Sequence, residues 1–225
     1  MIEERAGVVK APLVCHGRDW RAEQRGERLY VRCRDAEFDL PLPALKGAHQ
    51  IDNAGLAAVA ALQLGHLSPS REAMEQGLKT ATWPGRLQAL SSGPLANMLP
   101  AGSSLWLDGG HNAAAGEVLA AYFRDHDERP LYLIVGMLNT KDSKGFLEPI
   151  LPISERLFAV PIPDEPASQT PDDILSATAE LRAQAEAAKD IETALSTIVN
   201  QATSPVRVLI CGSLYLAGQV LRANN

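Results

Sequence analysis

The sequence is poor in the features that mark the commonest functional classes. No apolar run approaches the ~18 residues of a membrane span, and Met1-Ile2-Glu3-Glu4-Arg5 lacks the charged-then-apolar pattern of a signal peptide. A cytoplasmic protein without a membrane role is therefore expected. Cysteine is scarce: Cys15, Cys33 and Cys211 stand far apart, with no C-x-x-C pair and no zinc spacing, which reads as free buried thiols in a reducing compartment. Cations do not dominate. A net charge of -6 and a pI near 5.4 exclude a general binder of nucleic acid or anionic membrane, which needs clustered Lys and Arg. His16, His66 and His126 have no partner at metal-ligand spacing and read as surface or core residues. Phosphate loops are missing too. There is no G-x-x-x-x-G-K-[ST]; the nearest stretch, Gly136-Met137-Leu138-Asn139-Thr140-Lys141-Asp142-Ser143, lacks the second glycine beside the lysine. No G-x-G-x-x-G follows a strand, so an ordinary dinucleotide site has no support.

What is present is organised around Leu105-Trp106-Leu107-Asp108-Gly109-Gly110-His111-Asn112. The apolar run reads as a buried strand, and Ala115, Val118, Leu119, Tyr122 and Phe123 follow at helical spacing. A strand passing through Gly-Gly into a helix puts Asp108, His111 and Asn112 at the carboxyl edge of a parallel sheet, where open α/β sheets bind ligands. Spacing alone leaves two readings open: a site for chemistry, or simple capping of the helix by Asp108 or Asn112.

The remaining chain divides at Trp83-Pro84-Gly85-Arg86, a strong turn signal. Residues 1–48 look β-rich and irregular, with strands expected at Ala11–Cys15, Leu29–Arg34 and Glu37–Leu40, and read as a piece of a domain. A helix is expected over Asp52–Leu64, with Leu56, Val59, Ala60 and Leu64 on one face and Gly65 as C-cap; Ser70 caps a second helix. Beyond the turn, strands are expected at Leu87–Leu90, Ser104–Leu107, Leu131–Val135, Arg156–Val160 and Val206–Cys211. Helices are expected at Asn112–Phe123, Lys144–Ile150, Pro171–Ala187, Ile191–Ala202 and Leu214–Arg222, and the alternation implies a parallel sheet. Thr170-Pro171-Asp172-Asp173 is a well-formed helix start. The Pro161–Pro166 loop, with three prolines, is expected to frame the sheet edge.

Other polar residues are ambiguous alone. Arg86, on the turn, could reach a phosphate with its planar fork or make a surface ion pair. Ser213 could bind an anion at a helix start or only cap it. Lys141 and Asp142 could be a solvated loop pair, and His49 and Asn53 could be caps.

Together these stretches resemble the folylpolyglutamate synthase/dihydrofolate synthase branch of the Mur ligase superfamily, over its C-terminal part. The likeness rests on His49-Gln50-Ile51-Asp52-Asn53-Ala54, Trp83-Pro84-Gly85-Arg86-Leu87-Gln88, Leu107-Asp108-Gly109-Gly110-His111-Asn112, Val135–Asp142 and Cys211-Gly212-Ser213-Leu214-Tyr215-Leu216, in that order. The resemblance implies a Rossmann-like, mostly parallel C-terminal domain over 84–225. It also implies that 1–83 is the tail of an α/β central ATPase-type domain. It implies an ATP- and Mg2+-dependent ligase that joins L-glutamate to dihydropteroate or a folate through an acyl phosphate, working as a monomer. Asn53, Arg86, Asp108 and His111 would contact ATP, His111 also lying near the reacting groups and glutamate, with Ser213 near glutamate. No metal ligand carries over. Glu4-Arg5-Ala6-Gly7 departs from the family's Glu-Lys-Ala-Gly, whose lysine is carbamylated; a guanidinium stays protonated and cannot take that role. The family's Gly-Lys-Ser loop belongs to an N-terminal half that this sequence does not contain, so the chain is expected to be inactive alone. The competing reading is a standalone Rossmann-like nucleotide-binding or regulatory module.

Overall fold

A computed structural model describes residues 1–34, 36–125, 127–179, 181 and 184–224. His126 lies outside the described residues, as do the side chain of His66 and positions 180, 182 and 183 of the helix expected over Pro171–Ala187. The chain forms two compact units, Met1–Thr82 and Trp83–Asn225.

The first unit begins with α1 (Ile2–Val9), followed by β1 (Trp20–Arg25), β2 (Arg28–Cys33), β3 (Ala36–Pro41), α2 (His49–Leu62) and α3 (Arg71–Thr80). The strands form an antiparallel sheet in the order β1-β2-β3. Gly26, at φ +59°, opens the two-residue turn between Arg25 and Arg28, where a side chain would strain the backbone. Trp20, Leu29, Val31, Cys33 and Leu40 pack with Ala54, Ala58 and Val59 of α2 into one apolar core. Gly55 lets α2 approach β1 closely, since a Cβ there would stand 2.3 Å from that of Ala22.

Several expectations fail here for identifiable reasons. Ala11–Cys15 is not a strand, and Ile2–Val9 is helical although none of its residues is buried. A helix without an apolar face leaves no periodic signal. In α2 the buried face is Gln50, Ala54, Gly55, Ala58 and Val59, whereas Leu56 and Leu64 are more than half exposed. Apolar residues surround this helix, so the pattern could not say which side faces the sheet. Gly65 does not cap α2, which ends at Leu62 with Gln63 as its C-cap, ahead of a short 3-10 turn. Ser70 caps α3 as expected, accepting the Ala73 N–H at 3.2 Å.

The second unit contains β4 (Gln88–Leu90), β5 (Ser104–Leu107), α4 (Ala113–Asp125), β6 (Leu131–Val135), α5 (Ser143–Leu147), β7 (Arg156–Ala159), α6 (Pro171–Ala179), β8 (Ala185–Ala187), α7 (Ile191–Gln201), β9 (Arg207–Cys211) and α8 (Leu214–Ala223). Its sheet runs β4-β5-β9-β6-β7-β8, all parallel except β4. Alternate residues feed two cores. Leu105, Leu107, Ile134, Val208 and Ile210 meet Leu195 and Ile198 of α7 and Leu216 and Val220 of α8. Leu133, Val135, Leu157, Leu209 and Cys211 meet Leu119 and Phe123 of α4 and Phe146 of α5. A sheet covered on both faces explains the unbroken apolar runs of β6 and β9. The fold is α/β, as expected. The strands over 104–107, 131–135, 156–159 and 207–211 fall within a residue of their expected bounds.

The expected helix over Pro171–Ala187 is shorter. It stops at Ala179, and Ala185–Ala187 form an edge strand on β7. Alanine favours helix, but here β7 supplies backbone partners, and Arg156 reaches Glu186 at 3.2 Å and Gln184 at 3.0 Å. The helix expected over Lys144–Ile150 covers only Ser143–Leu147. The start at Thr170 holds: its hydroxyl accepts the Asp173 N–H at 3.2 Å while Asp173 accepts the Thr170 N–H at 2.9 Å.

Candidate functional site at the carboxyl edge of the parallel sheet

The chain leaves β5, builds β6, β7 and β8 to one side, and returns with β9 between β5 and β6. That insertion creates a switch point, where the loops after β5, β9 and β6 gather. Backbone bonds tie these loops together. The Gly212 N–H donates to the Gly110 carbonyl at 3.1 Å, and the Gly136 N–H to the Cys211 carbonyl at 3.2 Å. Gly212 has φ +105°, and a Cβ on it would lie 2.7 Å from the Gly136 carbonyl oxygen. Only glycine permits both the conformation and the approach.

Asp108 is the buried hub of the β5 loop. Its Oδ2 accepts the Leu87 N–H at 2.7 Å and its Oδ1 the Gly110 N–H at 2.6 Å. The Trp-Pro-Gly-Arg turn is thereby fixed to the Gly-Gly turn. The Gly109 N–H also donates to the Gly85 carbonyl at 2.8 Å, and the Gln88 side chain accepts the Gly85 N–H at 2.9 Å. Arg86 reaches across this junction: a Cβ on Gly109 would meet its Nη1 at 3.1 Å and Leu214 Cδ2 at 2.3 Å. Gly109 thus leaves room for a guanidinium and an apolar side chain above the turn.

His111 is half-buried, with Nδ1 2.9 Å from the Gly109 carbonyl oxygen. A carbonyl only accepts, so Nδ1 carries a proton and Nε2 is left for another partner. Asn112 resolves one ambiguity, since its Oδ1 accepts the Ala115 N–H at 2.9 Å and caps α4. Ser213 is buried and caps α8, accepting the Tyr215 N–H at 3.1 Å, which leaves its O–H to donate. Beneath the loops, burial and then the negative charge of Asp108 push the Cys211 thiol well above its ordinary range, so it is no nucleophile.

The loop after β6 is held from outside. Gln169 donates to the carbonyls of Leu138 at 3.2 Å and Lys141 at 3.3 Å and accepts from the Ser143 hydroxyl at 2.7 Å. Asp142 caps α5 through the Gly145 N–H. The proline loop is closed by the Ser168 hydroxyl, which accepts the Ile162 N–H at 2.9 Å. No sequence signal marked Gln169, because a lone glutamine in a loop belongs to no pattern. The left-handed backbone of Leu87, at φ +41°, was equally invisible.

The second unit therefore brings together Arg86, Asp108, His111 and Ser213. Asn53 lies in the first unit, exposed near the start of α2, where its amide donates to Gln50 Oε1 at 3.1 Å. Among the described residues no three His, Cys, Asp or Glu side chains converge as a metal cage. A cation carried by nucleotide phosphates, the usual habit of Mg2+, needs no such cage. Among the described residues no helix is long and apolar enough to cross a membrane.

Comparison with known proteins supports the α/β fold. A probable bifunctional folylpolyglutamate synthase/dihydropteroate synthase of Halobacterium salinarum is 27% identical over 227 residues, covering 97% of this chain and 26% of that protein. The crystal structure of a bifunctional folylpolyglutamate synthase/dihydrofolate synthase from Yersinia pestis, complexed with AMPPNP and Mn ion, superposes with a TM-score of 0.79 at 26% identity, over 99% of this chain and 50% of that one. Another bifunctional synthase, solved with Mn, AMPPNP and L-glutamate bound, gives a TM-score of 0.82 at 26% identity, over 99% and 50%. The chain thus spans about a quarter of that curated relative and about half of these solved chains. Residues 95–223, more than half of the sequence, match the family described as dihydrofolate synthetase, C-terminal domain, and the chain belongs to that family.

Proposed function

We propose that this chain is the C-terminal, nucleotide-closing part of an ATP- and Mg2+-dependent ligase that joins L-glutamate to dihydropteroate, to tetrahydrofolate polyglutamates, or to both. The observation that carries this reading is the Asp108–His111 turn, pinned at the switch point with a guanidinium above it and an imidazole nitrogen unspent. Transfer of a phosphoryl group builds charge on its oxygens, which cations and N–H donors must offset. Arg86 is the residue suited to that charge. The nucleotide supplies the phosphoryl group that activates the substrate carboxylate as an acyl phosphate, and Mg2+ offsets phosphate charge.

His111 binds at the nucleotide and lies near the incoming glutamate, its ring oriented by Gly109. Asp108 acts on the nucleotide through the turn it holds, since both carboxylate oxygens already accept backbone N–H groups. Ser213 offers its O–H to a glutamate carboxylate. Asn53 contacts the nucleotide from the first unit, which we take to be the tail of the central ATPase-type domain. Its place on α2 supports this, because Leu56, Ala57, Ala60 and Leu64 continue the Asn53 face as an exposed apolar stripe of the kind a further domain covers.

The test is incorporation of labelled glutamate into dihydropteroate or tetrahydrofolate, by the chain alone and with a phosphate-loop-bearing half added in trans. Incorporation only with that half, lost in His111→Ala, is the expected result. Incorporation by the chain alone would overturn the division of labour. A stable complex of the two parts that binds Mg-ATP but forms no product would favour the nucleotide-binding module instead.

A further inference from the structure

We propose that the β1–β2 hairpin and the start of α2 form an anion-binding cleft for a ligand carrying two or more carboxylate or phosphate groups, built entirely from the first unit. A cleft of about 490 Å³ is lined by His16, Arg21, Arg25, Tyr30, Arg32 and Asp52, together with Glu23. That volume falls in the range of small-molecule sites. A smaller cleft of about 160 Å³ shares Arg21 and Arg32 and adds Arg18 and Arg34.

Arg21 and Arg32 stand directly opposite each other in the β1–β2 register. Like charges in that position repel and destabilise a sheet. The ordinary remedy is a neighbouring carboxylate, yet among the described residues neither guanidinium makes an ion pair. Glu37, opposite Arg32 on β3, forms none with it. The acids of the larger cleft are engaged by other residues of its lining: Glu23 pairs with Arg25, and Asp52 lies 3.9 Å from His16. Arg18, in the smaller cleft, is paired with Asp19 and Glu3 at 3.0 Å each. Among the described residues Arg21 and Arg32 are thus left as surplus cations in a chain of net charge -6.

Two arginines are also held in place. Arg21 donates Nε and Nη2 to the Gly17 carbonyl at 3.3 and 3.2 Å, and the Arg25 guanidinium lies 3.6 Å from the centre of the Tyr30 ring. Fixed guanidinium forks match the paired oxygens of carboxylates and phosphates and lose little freedom on binding. Arg21 and Arg32, facing each other across the ladder, call for at least two anionic groups on one ligand.

Titration calorimetry on the full chain tests this with two probes, inorganic pyrophosphate and citrate, each against sodium chloride of equal ionic strength. Binding by at least one probe is expected, weakened tenfold or more in Arg21→Gln and in Arg32→Gln. Arg28→Gln, which removes an arginine paired with Asp39 on the same sheet, is expected to leave binding unchanged. Response to pyrophosphate alone identifies a phosphate ligand, and response to citrate alone a polycarboxylate. His111→Ala is also expected to leave this binding unchanged, so the result is independent of the ligase reading. Binding of neither probe beyond the salt control overturns the proposal. So does binding that survives the Arg21→Gln/Arg32→Gln double variant. That variant is expected to fold, with an equal or higher thermal midpoint without ligand, because it removes a repulsion.

Discussion

The Asp108 carboxylate accepts the backbone N–H of Leu87 at 2.7 Å, and Leu87 is a non-glycine residue at φ +41°. A left-handed conformation costs an L-residue roughly 1–2 kcal/mol. It persists where the surroundings over-determine it. Here they do: Leu87 is buried in the second core, its N–H is taken by Asp108, and Gly85 beside it is bonded to both Gly109 and Gln88. Asp108 therefore sets the shape of two turns at once, and Arg86 between them inherits its place above Gly109.

Asp108→Asn should reveal this double duty. An amide has one carbonyl oxygen, so one of the two N–H groups would face an NH2 instead. Leaving a buried donor unpaired costs about 1–3 kcal/mol. Urea unfolding is expected to show a loss of that size with an unchanged slope, and Asp108→Ala a larger one. If the carboxylate served only the ligand, both variants would keep their stability.

The glycines of the site should differ in tolerance. At Gly109 an added Cβ meets the end of Leu214, a half-exposed side chain that can turn away. At Gly212 it meets the Gly136 carbonyl oxygen at 2.7 Å, and the backbone is at φ +105°. Neither can yield without moving the sheet edge. Gly212→Ala is expected to cost more than about 2 kcal/mol and Gly109→Ala less than about half of that, by the mechanisms of overpacking and backbone strain. Comparison of the two denaturation midpoints checks the order.

The contrast between these glycines and the Ala177–Ala188 run shows what a sequence discloses. The turn Asp108-Gly109-Gly110-His111 was legible because strand, turn and helix each carry a local signal, and all three agree. The parallel strands were legible because burial on both faces leaves an unbroken apolar run. The edge strand Ala185–Ala187 was not, because its only cause is the pairing offered by Leu157–Ala159, a contact distant in sequence. The face of α2 was not, because apolar residues stand on every side. Within the site, the ambiguity between cap and ligand was settled for Asn112 by one hydrogen bond to Ala115. The Asp108–Leu87 link joins residues 21 apart and has no local trace.

Thiol chemistry offers a check on packing. Cys33 and Cys211 are buried, and burial raises the Cys211 thiol far from its reactive form, whereas Cys15 is only half-buried. An alkylating or disulfide reagent at neutral pH should modify Cys15 in the native protein and all three cysteines after denaturation. Fast native reaction at Cys211 would mean that the β9 end opens readily, contrary to its place under the Gly110–Gly212 bond.

At the amino edge of the same sheet, Arg129 pairs with Asp127 and donates to the Gly102 carbonyl, while Arg207 donates to the carbonyls of Arg129 at 2.8 Å and Phe123 at 2.6 Å. The Arg129 hydrogen bonds hold the Asp127 carboxyl down to about 2 from an ordinary 3.8. A carboxyl depressed in the folded state contributes stability that is complete above its unfolded pKa and lost as pH falls through the folded one. The window is therefore about pH 4 down to about pH 2. The shift corresponds to somewhat over 2 kcal/mol at about 1.4 kcal/mol per unit, but the Asp127 side chain is 26% exposed and solvent screens the pair, leaving about 1 kcal/mol. Asp127→Asn should thus lower stability by about 1 kcal/mol at pH 7 and by progressively less toward pH 2, so the curves of the two proteins converge in acid. Other depressed carboxyls, Asp173 and Asp190 among them, slope both curves alike and cancel in the difference. The loss at neutral pH has a second source. Without the Asp127 charge, Arg129 faces Arg207, whose guanidinium is already desolvated, with no carboxylate between them. Added salt screens that repulsion, so the deficit of Asp127→Asn should shrink as ionic strength rises.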